Sequence, residues 1–153
     1  MARLDDIPEP TRSHVTALEV APFDSRPFVT GPALSQRRVA VVSSAALYRR
    51  GDAPILPGSA EYRALPASLP AGDILMSHVS INFDRSGWQR DIDTIYPLER
   101  LRELAAEGVI GALADTHYSV MGSTDPRAMA DSADAMAAQM RAEGVDAVLL
   151  SPV

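Results

Sequence analysis

Pro97–Ser123 reads PLERLRELAAEGVIGALADTHYSVMGS, and its first seventeen residues carry a helix straight into a strand. Pro97 has the fixed φ that suits a helix start, and Leu98, Leu101, Leu104 and Ala105 recur at helical spacing. Glu99, Arg102, Glu103 and Glu107 face water, and Gly108 marks the stop. Val109–Leu113 (VIGAL) follows at once as a continuous apolar run, the pattern of a strand buried on both faces. The same sequence of events recurs downstream. Asp125 and Pro126 are an N-cap and a first helical residue, and Met129, Ala133, Met136 and Met140 form one apolar face, read as core or interface filler. Gly144 ends that helix, and 146–153 (DAVLLSPV) is another strand.

Working outward, 37–42 (RRVAVV) and Ile74–Met76 supply two more apolar runs. Between them, 51–72 is proline- and glycine-broken and reads as a loop, a length that usually serves a function or covers something. The order of elements predicts an α/β fold: an open, mainly parallel sheet with Rossmann- or flavodoxin-like layering and helices on its faces. Residues 1–36, interrupted by Pro8, Pro10, Pro22, Pro27 and Pro32, read as a long irregular N-terminal arm. Residues 37–153 then form a single α/β domain.

The chain has 153 residues, is 46% hydrophobic and carries a net charge of −6. Every one of its 14 basic residues is arginine, so neither a Schiff-base lysine nor a phosphate-loop lysine is available within these residues. An acidic chain gains nothing from counterion release, so nucleic acid is not expected as a partner. No apolar run is long enough for a membrane span. The start, MARLDDIPEP, lacks the apolar core of a secretory signal, and the expected compartment is the cytoplasm. With no cysteine, there is no disulfide frame, thiolate metal site or cysteine nucleophile in these residues.

Ligands in open α/β sheets bind at the carboxyl ends of strands. Here those ends read Ser43-Ser44, Ser77-His78, His117-Tyr118 and Ser151-Pro152. The stretch after Ile74–Met76 is the richest: His78, Ser80, Asn82, Asp84, Arg85, the single Trp88, Arg90, Asp91 and Asp93 crowd before Pro97. Two adjacent serines can offer hydroxyls and backbone N–H groups to an anion, or cap the next turn. His78 and His117, each expected about one residue past a strand, can approach each other across the sheet edge. Three roles are open to them: general acid and base, metal ligands with Asp84 or Asp115, or structural hydrogen-bonding groups. No tight metal-ligand spacing is present. Asp84, Asp91 and Asp93 can orient a histidine, meet a substrate amine or neutralise Arg85 and Arg90. Trp88 can wall a pocket or anchor its loop. No GxSxG, GxGxxG or Walker motif is present.

Four blocks together, SQRRVAVVSSAAL, EYRALP, SHVSINFDRSGWQRDIDTIYPLERLRELAAEGVIGALADTHYSVMG and AEGVDAVLLSP, resemble the selenoprotein B family. That family comprises the B components of glycine, sarcosine and betaine reductases and their D-proline reductase counterpart. The resemblance covers residues 34–153 and implies an oxidoreductase that reductively cleaves the C–N bond of an amino acid or its N-methylated derivative. It further implies that a selenocysteine, or cysteine, follows just after Val153, with no other cofactor in the residues shown. A selenocysteine codon is read as a stop by ordinary translation, which would end the displayed chain at the reactive residue; alternatively this is a short relative keeping only recognition machinery.

By carry-over, His78 and His117 are the catalytic candidates, and Ser43, Ser44, Asn82, Asp84, Trp88 and Tyr118 the substrate-binding candidates, with no metal ligand. Expected partners are a small amino-acid derivative and other reductase subunits or a thiol reductant, in a homo- or hetero-oligomer. Two other readings stand beside this one: a non-catalytic substrate-binding or scaffold subunit of such a complex, and a metal-dependent hydrolase or lyase built on histidine and aspartate.

Overall fold

The computed structural model describes residues 4–17, 27–80 and 83–153. Backbone contacts divide the chain into Met1–Thr30 and Gly31–Val153. In the first unit a 3₁₀ turn at Leu4–Asp6 precedes a short helix α1, Thr11–Thr16. Glu9 accepts hydrogen bonds there from the Ser13 backbone N–H (3.2 Å) and hydroxyl (2.6 Å). The expected arm is therefore not irregular throughout.

The second unit is built on β1, Arg38–Ser43, whose Ala40 and Val41 are fully buried. Along one edge β1 pairs in parallel with β7, Ala147–Ser151, in a register running from Val39↔Ala147 to Ser43↔Ser151. Two short parallel pairings complete its ladder: β5, Ala112–Leu113, meets its start (Arg38↔Ala112), and β6, Thr116–Val120, meets its end (Ser43↔Ser119). Strand β3, Tyr62–Pro66, pairs antiparallel with β6 through five residues. The main sheet is thus five-stranded and mostly parallel.

Alternate residues of β1 serve two core clusters, as the period-2 geometry of a strand requires. Val39 and Val41 pack with Leu98 and Leu101 of helix α3, Leu98–Ala106, and with Ile95 and Tyr96. Ala40 packs with Tyr118 and with Met136 and Met140 of helix α4, Ala130–Ala142. The methionine face of α4 is core. (The short helix ahead of α3, Ser86–Arg90, is α2.)

Both long helices end the same way. In α3, Val109 N–H bonds Leu104 O and Gly108 N–H bonds Ala105 O; in α4, Val145 N–H bonds Met140 O and Gly144 N–H bonds Arg141 O. Gly108 and Gly144 sit at φ 74° and 72°, the left-handed conformation this closure needs. The repeated AEGV is the sequence signal for it.

Four expectations are corrected. Strand β4, Ile74–Met76, is not in the main sheet: it pairs antiparallel with β2, Leu47–Arg49, as a separate two-stranded sheet. The loop predicted over 51–72 contains β3. The strand expected over 109–113 shrinks to Ala112–Leu113, and the polar residues after it form β6 rather than a loop. Asp125 caps a 3₁₀ turn, Pro126–Met129, by accepting from Arg127 N–H (2.9 Å), and α4 begins only after it. The mainly parallel sheet holds; the antiparallel β3 and the detached β2–β4 pair were not part of the expected Rossmann- or flavodoxin-like layering.

Strand β7 is an edge in this structure. Among the described residues it pairs only with β1, and Val148, Leu149 and Leu150 remain 45%, 39% and 69% exposed, on both faces of the sheet. No helix among the described residues is long and apolar enough to cross a membrane.

Candidate functional site

The carboxyl ends of β1, β4, β6 and β7 surround a cavity of about 520 Å³ lined by His78, Val79, Ser80, Phe83, Gly122, Ser123 and Val153. His78 arrives there because β4 stops at Met76 and Ser77 bolts the chain back: its hydroxyl donates to Ala46 O (3.1 Å) and Ile55 O (2.9 Å). The imidazole is nearly buried and packs edge-on against Phe83, with centroids 5.5 Å apart. Its Nδ1 accepts from Ser80 N–H at 3.3 Å. The ring proton therefore belongs on Nε2, which is left to meet the Val153 backbone. Burial, and then the Arg85 guanidinium, hold His78 below the usual imidazole range, while the hydrogen bond to Val153 works the other way. Arg85 is fixed nearby by donating to His78 O at 2.8 Å. The ring is consequently neutral at neutral pH.

His117 is elsewhere. It lies inside β6, fully buried, and does not line the cavity, so the expected meeting of two histidines across the sheet edge is not found. The reason lies in the ladder. Between Leu113 and Thr116 the chain leaves β1, which orphans a backbone donor, and His117 Nδ1 accepts it: Val41 N–H at 3.0 Å. The ring stands edge-on to Tyr96 at 6.0 Å, and its Nε2 has no hydrogen-bond partner among the described residues. Burial first, and Arg102 second, lower its pKa to about 4.

The predicted binding residues divide in the same way. Ser43 is buried and donates its hydroxyl to Ile95 O at 2.8 Å, so it serves the core. Ser44 accepts Val153 N–H at 2.8 Å through its hydroxyl, holding the chain behind the cavity wall. Asp84 is exposed and accepts from the Ser86 N–H (2.8 Å) and hydroxyl (3.0 Å) at the start of α2, bonds that keep its carboxyl below the ordinary range. Tyr118 is fully buried, its ring 5.9 Å from Tyr62, and burial raises its pKa. Asn82 lies outside the described residues. Trp88 looks the other way, into a second groove of about 670 Å³ shared with Arg50, Arg90, Asp91, Asp93 and Arg100. The polar stretch that reads as one site floor is thus split by α2 between two cavities.

Of the predicted candidates among the described residues, the structure brings only His78 to the first cavity. Phe83, Gly122, Ser123 and Val153 were not singled out as site residues. Gly122 had a signal, as the glycine of the HYSVMG block; Val153 had none in its chemistry. Among the described residues no three His, Asp or Glu side chains converge as ligands for one ion.

A family model described as glycine/sarcosine/betaine reductase selenoprotein B matches residues 67–153. The chain is 31% identical over 121 residues to a D-proline reductase subunit gamma of Acetoanaerobium sticklandii, covering 77% of this chain and 49% of that protein. It is 31% identical over 144 residues to a glycine reductase complex component B subunit gamma of Carboxydothermus hydrogenoformans, covering 89% of this chain and 33% of that protein. The chain spans about half the length of the first relative and a third of the second. No solved structure gives a significant match. Strands β4 to β7, α2 to α4 and the cavity's histidine fall inside the matched region while β1 to β3 precede it, and the chain belongs to the selenoprotein B family of glycine, sarcosine and betaine reductases.

Proposed function

We propose that this chain supplies the pocket and the proton-handling histidine of a selenol- or thiol-dependent reductase. Its substrate would be an amino acid or N-methylated amino acid, cleaved at the C–N bond. The observation that carries the reading is the meeting of Val153 and His78 in one cavity, with Val153 N–H held by Ser44 at 2.8 Å. The position after Val153 is where the family resemblance puts the selenocysteine or cysteine.

The net change is one C–N bond replaced by one C–H and one N–H bond. A dithiol gives up two electrons and two protons and ends as a disulfide. A selenol or thiol beside Val153 supplies the nucleophile for that displacement. His78, neutral at rest, takes the proton that the selenol or thiol gives up and passes it to the departing amine nitrogen, which takes the electron pair of the broken bond. Val79 and Phe83 keep the wall apolar, and Arg85 fixes the His78 backbone. His117, away from the cavity, satisfies the Val41 N–H in the middle of β1. The relatives' names as subunits support a multi-subunit assembly for this chain.

The test uses the gene product purified from its own organism with whatever copurifies. Dithiol-dependent amine release from glycine, sarcosine, betaine and D-proline is measured, together with intact mass. The expected result is amine release from one of them and a mass above 16.4 kDa, with selenium's isotope pattern or a cysteine in the extension. A 16.4 kDa product without turnover overturns the reading in favour of a binding or scaffold subunit.

A further inference from the structure

Ser44 is a joint between three parts of the chain. Its N–H donates to Ser151 O at 3.0 Å, at the end of β7. Its carbonyl accepts Gly122 N–H at 3.1 Å, just past β6. Its hydroxyl accepts Val153 N–H at 2.8 Å. Its backbone donor, its backbone acceptor and one acceptor site of its hydroxyl are all committed. The neighbouring serine points inward instead: Ser43 and Ser151 both donate their hydroxyls to Ile95 O, at 2.8 and 3.0 Å. The segment leaving β7 is therefore pinned at Ser151 from below and at Val153 from the side.

The joint depends on residue 122 lacking a side chain. A Cβ there would lie 3.0 Å from Ser44 O and 3.1 Å from both Ser44 Cβ and Oγ. Those are contacts that packed side chains rarely make, and two of the three atoms belong to the part of Ser44 that holds Val153. No positive φ is recorded at Gly122, so glycine is needed there for space alone.

We infer that Ser44 and Gly122 are positioning residues, which hold Ser151–Val153 against His78 and so set the geometry of the reacting position. The consequence for turnover rests on the function proposed above; the consequence for His78 does not. Holding the backbone one residue away is how a fold places a reacting group to within a fraction of an ångström, and a displacement of about 1 Å costs about a hundredfold in rate.

The test makes Ser44→Ala and Gly122→Ala in the complete native protein and reads the His78 imidazole titration by NMR alongside kcat and KM. The groups facing that ring are Arg85, Phe83, the Ser80 N–H and the Val153 backbone. Releasing Val153 removes a contact that favours the protonated ring. Both variants should therefore titrate His78 at lower pH than wild type, with kcat down about a hundredfold and KM little changed. An unshifted His78, or a shifted His78 with wild-type kcat, overturns the assignment. If Gly122→Ala does not fold, Ser44→Ala decides, since it removes one oxygen and adds no bulk. If the wild-type protein has no turnover, the function reading fails separately, and the titration alone decides whether the joint holds.

Discussion

His78 and His117 follow similar apolar runs in sequence, and both are held uncharged by burial, yet they sit in opposite kinds of surroundings. Around His78 the backbone is loop, and the ring borders a cavity and meets the Val153 backbone. Around His117 the backbone is strand, and the ring replaces a missing ladder carbonyl. A buried imidazole is thus no mark of chemistry by itself. What separates the two is whether the ring borders a cavity or lies inside the sheet, satisfying a backbone group left out of the ladder.

The largest test of that contrast is removal of His117. His117→Ala leaves Val41 N–H unpaired beside Tyr96 and opens a void, and should lower unfolding free energy by about 3 to 5 kcal/mol in denaturant titration. His78→Ala should cost less than about 1 kcal/mol, because its ring borders an open cavity, while abolishing measurable turnover. Equal losses of stability would break the comparison.

A pH titration sharpens it. The folded protein binds a proton at His117 only near pH 4, against 6.5 for the ordinary side chain. The unfolded chain therefore holds more protons between those values, and stability rises with pH across that window and is lost as pH falls through it, by on the order of 3 kcal/mol. His117→Gln keeps an acceptor but cannot titrate, and should flatten the slope measured between pH 4 and 6.5. A variant with the wild-type slope would move the effect to another group.

A smaller effect is expected at Ser119, which bridges the main sheet to β2. Its hydroxyl donates to Ser43 O (2.9 Å) and accepts Leu47 N–H (2.8 Å). Ser119→Ala orphans a buried N–H and should cost about 1 to 3 kcal/mol by thermal or chemical denaturation. Little or no loss would mean that water reaches Leu47.

These bonds also explain why part of the fold was legible and part was not. The helices α3 and α4 announce themselves by leucine and methionine spacing and by the repeated AEGV, because helical hydrogen bonds are local. Strands β1 and β7 announce themselves by apolar runs. Strand β6 reads as a loop because THYS is polar, and it is polar because His117 and Ser119 satisfy backbone groups of other strands, a long-range need invisible in the local pattern. The antiparallel pairing of β4 with β2 is likewise unreadable, since an apolar run does not name its partner. In the site, His78 stood out by chemistry, whereas Gly122 and Val153 contribute by shape and by backbone. The tyrosine and serine hydroxyls that looked available are mostly buried or engaged.

The open edge of β7 gives this chain a colloidal character. Copies carry a net charge of −6 and repel at a distance, while Val148, Leu149 and Leu150 and an unpaired backbone edge offer a short-range attraction. Salt shortens the repulsion to about 10 Å at 0.1 M and leaves the attraction untouched. The second virial coefficient of the isolated chain, from static light scattering, should therefore fall as salt is added. Leu150→Asp should raise the coefficient at every salt concentration, adding charge where the surface is most adhesive.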